Sequence, residues 1–197
     1  GIQNYFKKHQ WQNTELKDFR NALENSSKKN LKKFFKSWLS TTGVNTLQVI
    51  NEKNKIILKQ HPSKNGILRQ HKAKLAIFSK NKAESISITY NKSKTKIKSN
   101  FHYYDFIFPN YEDHDYTKIR LDNKSLFYLE EKISEVKEEL TKQMIYGTFW
   151  DMLRDSEFSP INFLDLIIKN SPEEKNLLLL EKLIGYIKSA LEYYVDD

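Results

Sequence analysis

The chain contains no cysteine and, in 197 residues, only five glycines, four prolines and two methionines. Without cysteine there is no disulfide framework and no thiolate metal site, which fits a reducing compartment. Five glycines can hardly furnish a phosphate-cradling loop, and no Gly-x-Ser-x-Gly elbow is present. A membrane-spanning helix needs roughly 20 apolar residues. The apolar run Leu177 to Leu180 stops at four and sits inside an amphipathic pattern. The chain opens Gly1-Ile2-Gln3-Asn4-Tyr5, with neither an initiator Met nor a signal-peptide pattern, so it is expected to be part of a longer, cytoplasmic protein with no membrane partner.

Arginine is also scarce. Arg20, Arg69, Arg120 and Arg154 are the only four among 33 basic residues, which face 25 acidic ones for a net charge of +8. A basic excess of this size points toward nucleic acid or an anionic surface, but arginine is the residue that reads phosphates and base edges bidentately. Much of the lysine therefore reads as compositional drift. The charge is split: residues 1–100 carry +17 and residues 101–197 carry −9. That contrast predicts regions of different character.

What the chain does have is three kinds of periodicity. From Gly1 to about Leu39 it is helical. Leu31, Phe34, Phe35, Trp38 and Leu39 fall on one stripe, with Gly43 placed to end the helix. Leu16, Phe19 and Leu23 predict a second short helix capped by Asn13 or Thr14, and Ile2, Tyr5, Phe6 and His9 a third. These stripes are expected to pack as core.

From Val44 to Leu121 the period is two, clearest in Ser85-Ile86-Ser87-Ile88-Thr89-Tyr90. Similar runs at Leu47–Ile50, Ile56–Leu58, Leu75–Phe78, Lys96–Lys98, Phe106–Phe108 and Lys118–Leu121 are separated by turn-forming clusters such as Asn51–Asn54, Ser63–Gly66 and Asn91–Lys94. About seven short strands of this kind predict an antiparallel β-sandwich or partial barrel. Lys92, Lys94, Lys96 and Lys98 read as outward or edge positions, where lysine discourages edge-to-edge pairing.

From Asp122 onward helices return: Leu126 to Ile133, Leu140 to Arg154, one opened by Ser159-Pro160, and a last one carrying Leu177, Leu180, Leu183, Ile184, Ile187 and Leu191. Ser171-Pro172-Glu173-Glu174 is expected to open that last helix as a capping box. The fold class is thus α+β: short N-terminal helices, a sandwich, then a helical array, with segments at 1–43, 44–121 and 122–197.

Residue spacing alone offers no catalytic constellation. His9, His61, His71, His102 and His114 form no His-Glu-x-x-His motif, and no two lie four apart on a helix. Glu112-Asp113-His114-Asp115 lacks the Gly and spaced acids of a calcium loop and reads as a solvated turn. Glu130-Glu131 and Glu138-Glu139 read as solvent faces of helices. Asp151, Arg154 and Asp155, at i, i+3 and i+4, are expected to form a structural ion pair, with a ligand site as the other reading.

Five segments carry a resemblance. Gly1-x-x-x-Tyr5-Phe6-x-x-His9, Asn13-Thr14-x-Leu16-x-Asp18-Phe19 and Trp38-Leu39-x-Thr41-x-Gly43-Val44-Asn45-x-Leu47 are followed by Tyr116-Thr117-Lys118-Ile119-Arg120-Leu121-Asp122 and Trp150-Asp151-Met152-x-Arg154-Asp155-x-Glu157. In this order and at these intervals they resemble aminopeptidase N-like zinc metallopeptidases, bacterial members included, from the end of the catalytic domain through the β-sandwich to the start of the helical C-terminal domain.

The resemblance implies that metal and catalytic machinery lie upstream. There a thermolysin-like domain supplies His-Glu-x-x-His, a distant Glu ligand, an oxyanion-stabilising Tyr and a Gly-x-Met-Glu-Asn segment for the substrate's amino group. None of these has a matching position here, so no catalytic or zinc-binding residue is assigned to the chain. Its implied role is scaffold and part of the active-site cap, inactive alone. The implied partners are the rest of its own polypeptide and, for the parent, peptide substrates. Stripes that face the rest of the enzyme are then expected to be exposed, giving marginal stability or self-association. Two alternatives remain: a free-standing basic module for nucleic acid or an anionic surface, and a degenerate peptidase relative that serves as an interaction protein.

Overall fold

A computed structural model describes residues 1–52, 55–80, 82–97 and 103–195. It is an α+β structure of seven α-helices and two β-sheets. Three short helices come first: α1 (Ile2–His9), α2 (Leu16–Ser27) and α3 (Lys32–Leu39). Tyr5 joins α1 to α2, its ring edge-on to Phe19 at 5.1 Å and its hydroxyl 2.6 Å from Thr14 Oγ1. Thr14 is thereby unavailable as a cap. Glu15 takes that place, in a reciprocal capping box with Asp18.

The end of α3 differs from the expectation as well. The helix stops at Leu39, and Gly43 lies beyond it with φ 84°, where a Cβ would approach Ser63 Cβ to 2.8 Å. Glycine is required there by a left-handed backbone and a close crossing, not by the helix terminus.

The strands are β1 (Thr46–Glu52), β2 (Lys55–His61), β3 (His71–Ser79), β4 (Lys82–Tyr90), β5 (Lys94–Lys96), β6 (Phe106–Pro109) and β7 (Lys118–Arg120). One sheet is ordered β5-β2-β1-β7 and the other β4-β3-β6. Their facing residues form a dry layer: Leu47, Val49, Ile56 and Leu58 meet Ala73, Leu75, Ile77, Ile88 and Ile107. The antiparallel expectation fails at one ladder, because β7 runs parallel to β1 with Leu47 opposite Ile119. The chain reaches that position by the long connection after β6, and Asn45 O receives both Lys118 N (3.0 Å) and Thr117 Oγ1 (2.9 Å). Exposed Lys94 and Lys96 lie on β5 at the sheet edge, as the edge-strand reading requires; Lys98 and His102 lie outside the described residues.

The far face of β3 and β6 is covered by the helices α4 (Asn123–Lys132), α5 (Glu139–Arg154), α6 (Pro160–Asn170) and α7 (Leu177–Tyr193). Ala76, Phe78, Phe106 and Phe108 from the sheet join Leu129, Ile133, Ile145, Phe149 and Phe163 in a second core. Asp122 caps α4 and Ser159 caps α6 ahead of Pro160.

The Ser171–Glu174 expectation is corrected: Ser171 closes α6, and Asn176 caps α7 through Leu178 N and Leu179 N. Glu174 instead accepts the amides of Lys175 and Asn176, both at 2.9 Å, and Lys142 Nζ at 2.9 Å. α7 buries Leu179, Leu183 and Ala190 and packs Tyr186 and Ile187 against the same core, whereas Leu177, Ile184 and Leu191 are exposed. On α3 only Phe35 of the expected stripe is fully buried, and Phe34 and Leu39 are more than half exposed. The stripes of α1 and α2 contribute no buried residue, and Ile2, Phe6 and Leu16 are exposed, so core packing accounts for part of the α3 and α7 stripes and not for the first two. Among the described residues no helix is long and apolar enough to cross a membrane.

This distribution sets the expected mutational response. Phe149 is fully buried, so Phe149→Ala should cost about 3–5 kcal/mol in chemical denaturation, whereas Phe34→Ala should change stability by no more than about 0.5 kcal/mol. Burial pushes the Glu174 carboxyl up, but the Asn176 amide, the Lys142 ammonium and the Lys175 amide together hold it below the ordinary range. A depressed carboxyl contributes stability above its unfolded pKa and loses it as pH falls through the folded one. Glu174→Gln should therefore destabilise at pH about 7 and be close to neutral below pH about 3.

Candidate functional site

Of the residues singled out in sequence, Asp151 and Arg154 lie on the last turn of α5 and Asp155 directly follows it. Arg154 Nη1 is 3.8 Å from Asp151 Oδ1, within ion-pair range but beyond a hydrogen bond. Asp155 turns the other way, onto Lys118 Nζ at 2.7 and 2.6 Å. Two residues on, Glu157 grips Arg120 through Nε (2.6 Å) and through Nη2. The segments Tyr116–Asp122 and Trp150–Glu157 are thus laced together, strand to helix, by two charge pairs. Asp151 is left half-buried. Its carboxyl is pushed up by burial, partly offset by the positive charges of Lys118 and Arg154.

A second arrangement, legible only in three dimensions, lies under α3. Arg69 is almost fully buried and makes a fork of contacts at the carboxyl end of that helix: Nε to Ser37 O (2.7 Å), Nη2 to Thr41 Oγ1 (2.8 Å) and to Thr42 O (3.2 Å). Free carbonyls and the negative end of a helix dipole suit a guanidinium there. Its face lies 5.4 Å from the Trp38 ring.

Beside it, Asn45 donates to the carbonyls of His61 (3.2 Å) and Ile67 (2.6 Å), which turns Asn45 Oδ1 toward His71 Nε2 at 3.0 Å. His71 Nδ1 lies 2.9 Å from Asp115, which also accepts from the Tyr90 hydroxyl at 2.9 Å. The His71 ring stacks on Tyr90 at 4.9 Å. Burial first, and then the Asp115 charge, drive the Tyr90 hydroxyl well above its ordinary range.

Asp115 therefore does not belong to a solvated turn, as the acidic run suggested. It is nearly buried, while Glu112 and His114 stay exposed, with Glu112 bonded to Lys74 and to His114. No sequence motif announces this junction. The one available signal is that Arg69 is an arginine in a chain that otherwise uses lysine.

Chemically, the junction is a clasp. Asp115 is shared between His71 and Tyr90, Arg69 is spent on α3, and the hydroxyl beside the His71–Asp115 pair, that of Tyr90, donates to Asp115 and is held in its neutral form by burial and by that carboxylate. A cleft of about 890 Å³ opens next to it, walled by Phe34, Trp38 and Tyr116 and fringed by Lys29, Lys33 and Lys72. His61 lies apart, 2.7 Å from Gln48 Oε1, its imidazole pKa lowered by burial and then by Lys59 and Arg120. Among the described residues, no group of three or more His, Cys, Asp or Glu is placed to hold a metal ion.

No family profile matches the chain. Among curated proteins it is similar to an aminopeptidase N of Streptomyces lividans, with 26% identity over 215 aligned positions. The alignment takes in 98% of this chain but 25% of that protein, so the chain spans about a quarter of the length of the relative it matches. The resemblance noted in the sequence therefore extends along nearly the whole chain.

The clasp has a stability signature. Lysine offers donors from a single nitrogen and cannot span Ser37, Thr41 and Thr42. Arg69→Lys should thus cost about 2 kcal/mol in denaturant unfolding, while the half-exposed Lys118 gives Lys118→Ala a cost below about 1 kcal/mol. Equal effects would contradict the ranking.

Proposed function

We propose that this chain is a scaffold and partial cap of a larger zinc-dependent aminopeptidase, with the hydrolytic centre carried by the remainder of that polypeptide. The observation that carries the reading is the alignment with aminopeptidase N over nearly the full chain. Residues 1–43 would close the catalytic domain, residues 44–121 form the connecting sandwich and residues 122–197 open the helical cap. Zinc, peptide substrates and a cytoplasmic location belong to the proposal for the parent protein.

The surface supports this division. Phe6, Leu16, Phe34 and Leu39 on α1 to α3, and Leu177, Leu178, Ile184 and Leu191 on α7, are exposed apolar groups; α1 and α2 bury no residue at all, and α3 and α7 are packed on the opposite face only. Such faces suit contacts with further parts of one polypeptide. The charge pairs at Lys118–Asp155 and Arg120–Glu157 suit a rigid joint between sandwich and cap.

A second reading, an anionic-partner module, draws on one observation, the Lys29, Lys33 and Lys72 fringe of the cleft beside Trp38. It requires binding that weakens steeply with salt. A labelled oligonucleotide that fails to bind at about 50 mM salt removes it.

The main reading is tested on the purified chain by metal analysis and with aminoacyl p-nitroanilides. The expected result is neither retained zinc nor hydrolysis, together with binding of an apolar dye to the exposed faces. Stoichiometric zinc, or a rigid monomer without dye-accessible surface, would contradict it.

A further inference from the structure

Between the connection that follows β6, the last two turns of α5 and the middle of α7 lies a cleft of about 410 Å³. That is near the small end of the range for small-molecule sites, about 300–1,000 Å³. Asp151 and Arg154 both open into it. Their charged atoms stand 3.8 Å apart, so neither satisfies the other with a hydrogen bond. Among the described residues no hydrogen bond reaches the Asp151 carboxylate; its other charged neighbours are Lys118, Asp155 and Lys182. Lys118 is already committed to Asp155.

The opposite wall is supplied by Asn110 and Asp113, both with left-handed φ angles of 62° and 53°. Glu112 between them has φ 60°, so an unfavourable backbone is held at this edge of the cleft. The apolar wall is Trp150 stacked on Tyr186, with ring centroids 4.7 Å apart and planes 17° from parallel.

We propose that this cleft binds a free zwitterionic α-amino acid with an apolar side chain. Its ammonium sits against Asp151, its carboxylate against Arg154 and its side chain on the Trp150–Tyr186 wall. The argument is one of matching charge. An ammonium and a carboxylate on one carbon form a dipole of the same scale as the Asp151–Arg154 pair, and the two dipoles neutralise each other when laid antiparallel. A plain cation would meet Arg154, and a plain anion would meet Asp151 and Asp113. A ligand carrying both charges offsets each repulsion with an attraction. Because both protein groups keep substantial exposure, affinity is modest, with a Kd on the order of 1 mM. The inference does not depend on the peptidase reading, since binding is measured on this chain without catalysis.

The test is NMR titration of the purified 197-residue chain with L-leucine, following the indole N–H signals of Trp11, Trp38 and Trp150. Trp150→Phe assigns the cleft signal by deleting it. L-leucine should move the Trp150 signal saturably and leave Trp11 and Trp38 in place. Leucinamide, which lacks the carboxylate, and 4-methylpentanoate, which lacks the ammonium, should each bind at least about tenfold more weakly.

Asp151→Asn and Arg154→Gln should each weaken L-leucine by about tenfold, with an unchanged Trp38 signal reporting an intact fold. Gly147→Leu provides an independent variant, because Gly147 lines the cleft and the nearest atom to a new Cβ is the Tyr186 hydroxyl at 4.0 Å. It should block binding while leaving both charges in place. No Trp150 shift at about 50 mM L-leucine, equal binding of all three ligands, or undiminished binding in the charge variants would overturn the proposal.

Discussion

The constraint on which the rest of the structure depends is the double burial of β3 and β6. Along β3 the residues alternate in destination. Ala73, Leu75 and Ile77 face the second sheet, while Ala76 and Phe78 face the helices. β6 is buried at all four positions, and its proline is tolerated because β6 is an edge strand. A sheet covered on both faces must be supplied with two partners at once. One is the four-stranded sheet and the other is α4 to α7, and each core borrows the same strands. The open start of β3, with Lys72 exposed, marks where the helical cover stops.

Where elements meet at their ends, the few arginines take the demanding positions. Arg69, in the segment just before β3, is fixed to the end of α3, Arg120 joins β7 to the turn after α5, and Arg154 lies beside Asp151 at the end of α5. A planar fork with fixed donors reaches several acceptors at once, which a lysine cannot do. Arg154 stays beyond hydrogen-bond distance of Asp151, but Arg69 and Arg120 are in this way informative about architecture in a lysine-rich chain. The overall charge of +8 is less so, because its lysines are spread over edge strands and solvent faces. For an aminopeptidase-like scaffold these joints would hold the sandwich in register with both the catalytic side and the cap.

Much of the fold was legible in sequence, and the reasons are specific. Ser85–Tyr90 alternates because one face of β4 meets solvent, and Phe106–Phe108 is continuous because both faces of β6 are covered. Ser159-Pro160 marked the start of α6 through local cap chemistry. What was not legible depended on distant partners. The parallel pairing of β7 with β1 rests on an Asn45 carbonyl more than seventy residues away in sequence. The buried face of α7 follows from the core that it packs on, and its start from Asn176 rather than Ser171. Asp115 looked like one more acid in a turn until His71 and Tyr90 were brought to it. Of the Asp151, Arg154 and Asp155 set, the spacing placed all three at the end of α5 but gave no sign that Asp155 would turn to Lys118.

If β3 and β6 are a shared wall, the chain is one cooperative scaffold. The most direct test is native-state hydrogen exchange on the intact chain under increasing denaturant, following the amides of β3, β1 and α5 separately. The account predicts that the most protected amides of all three converge on one opening free energy and one denaturant dependence. Exchange of α5 through a lower-energy opening that leaves β3 protected at its full value would contradict it.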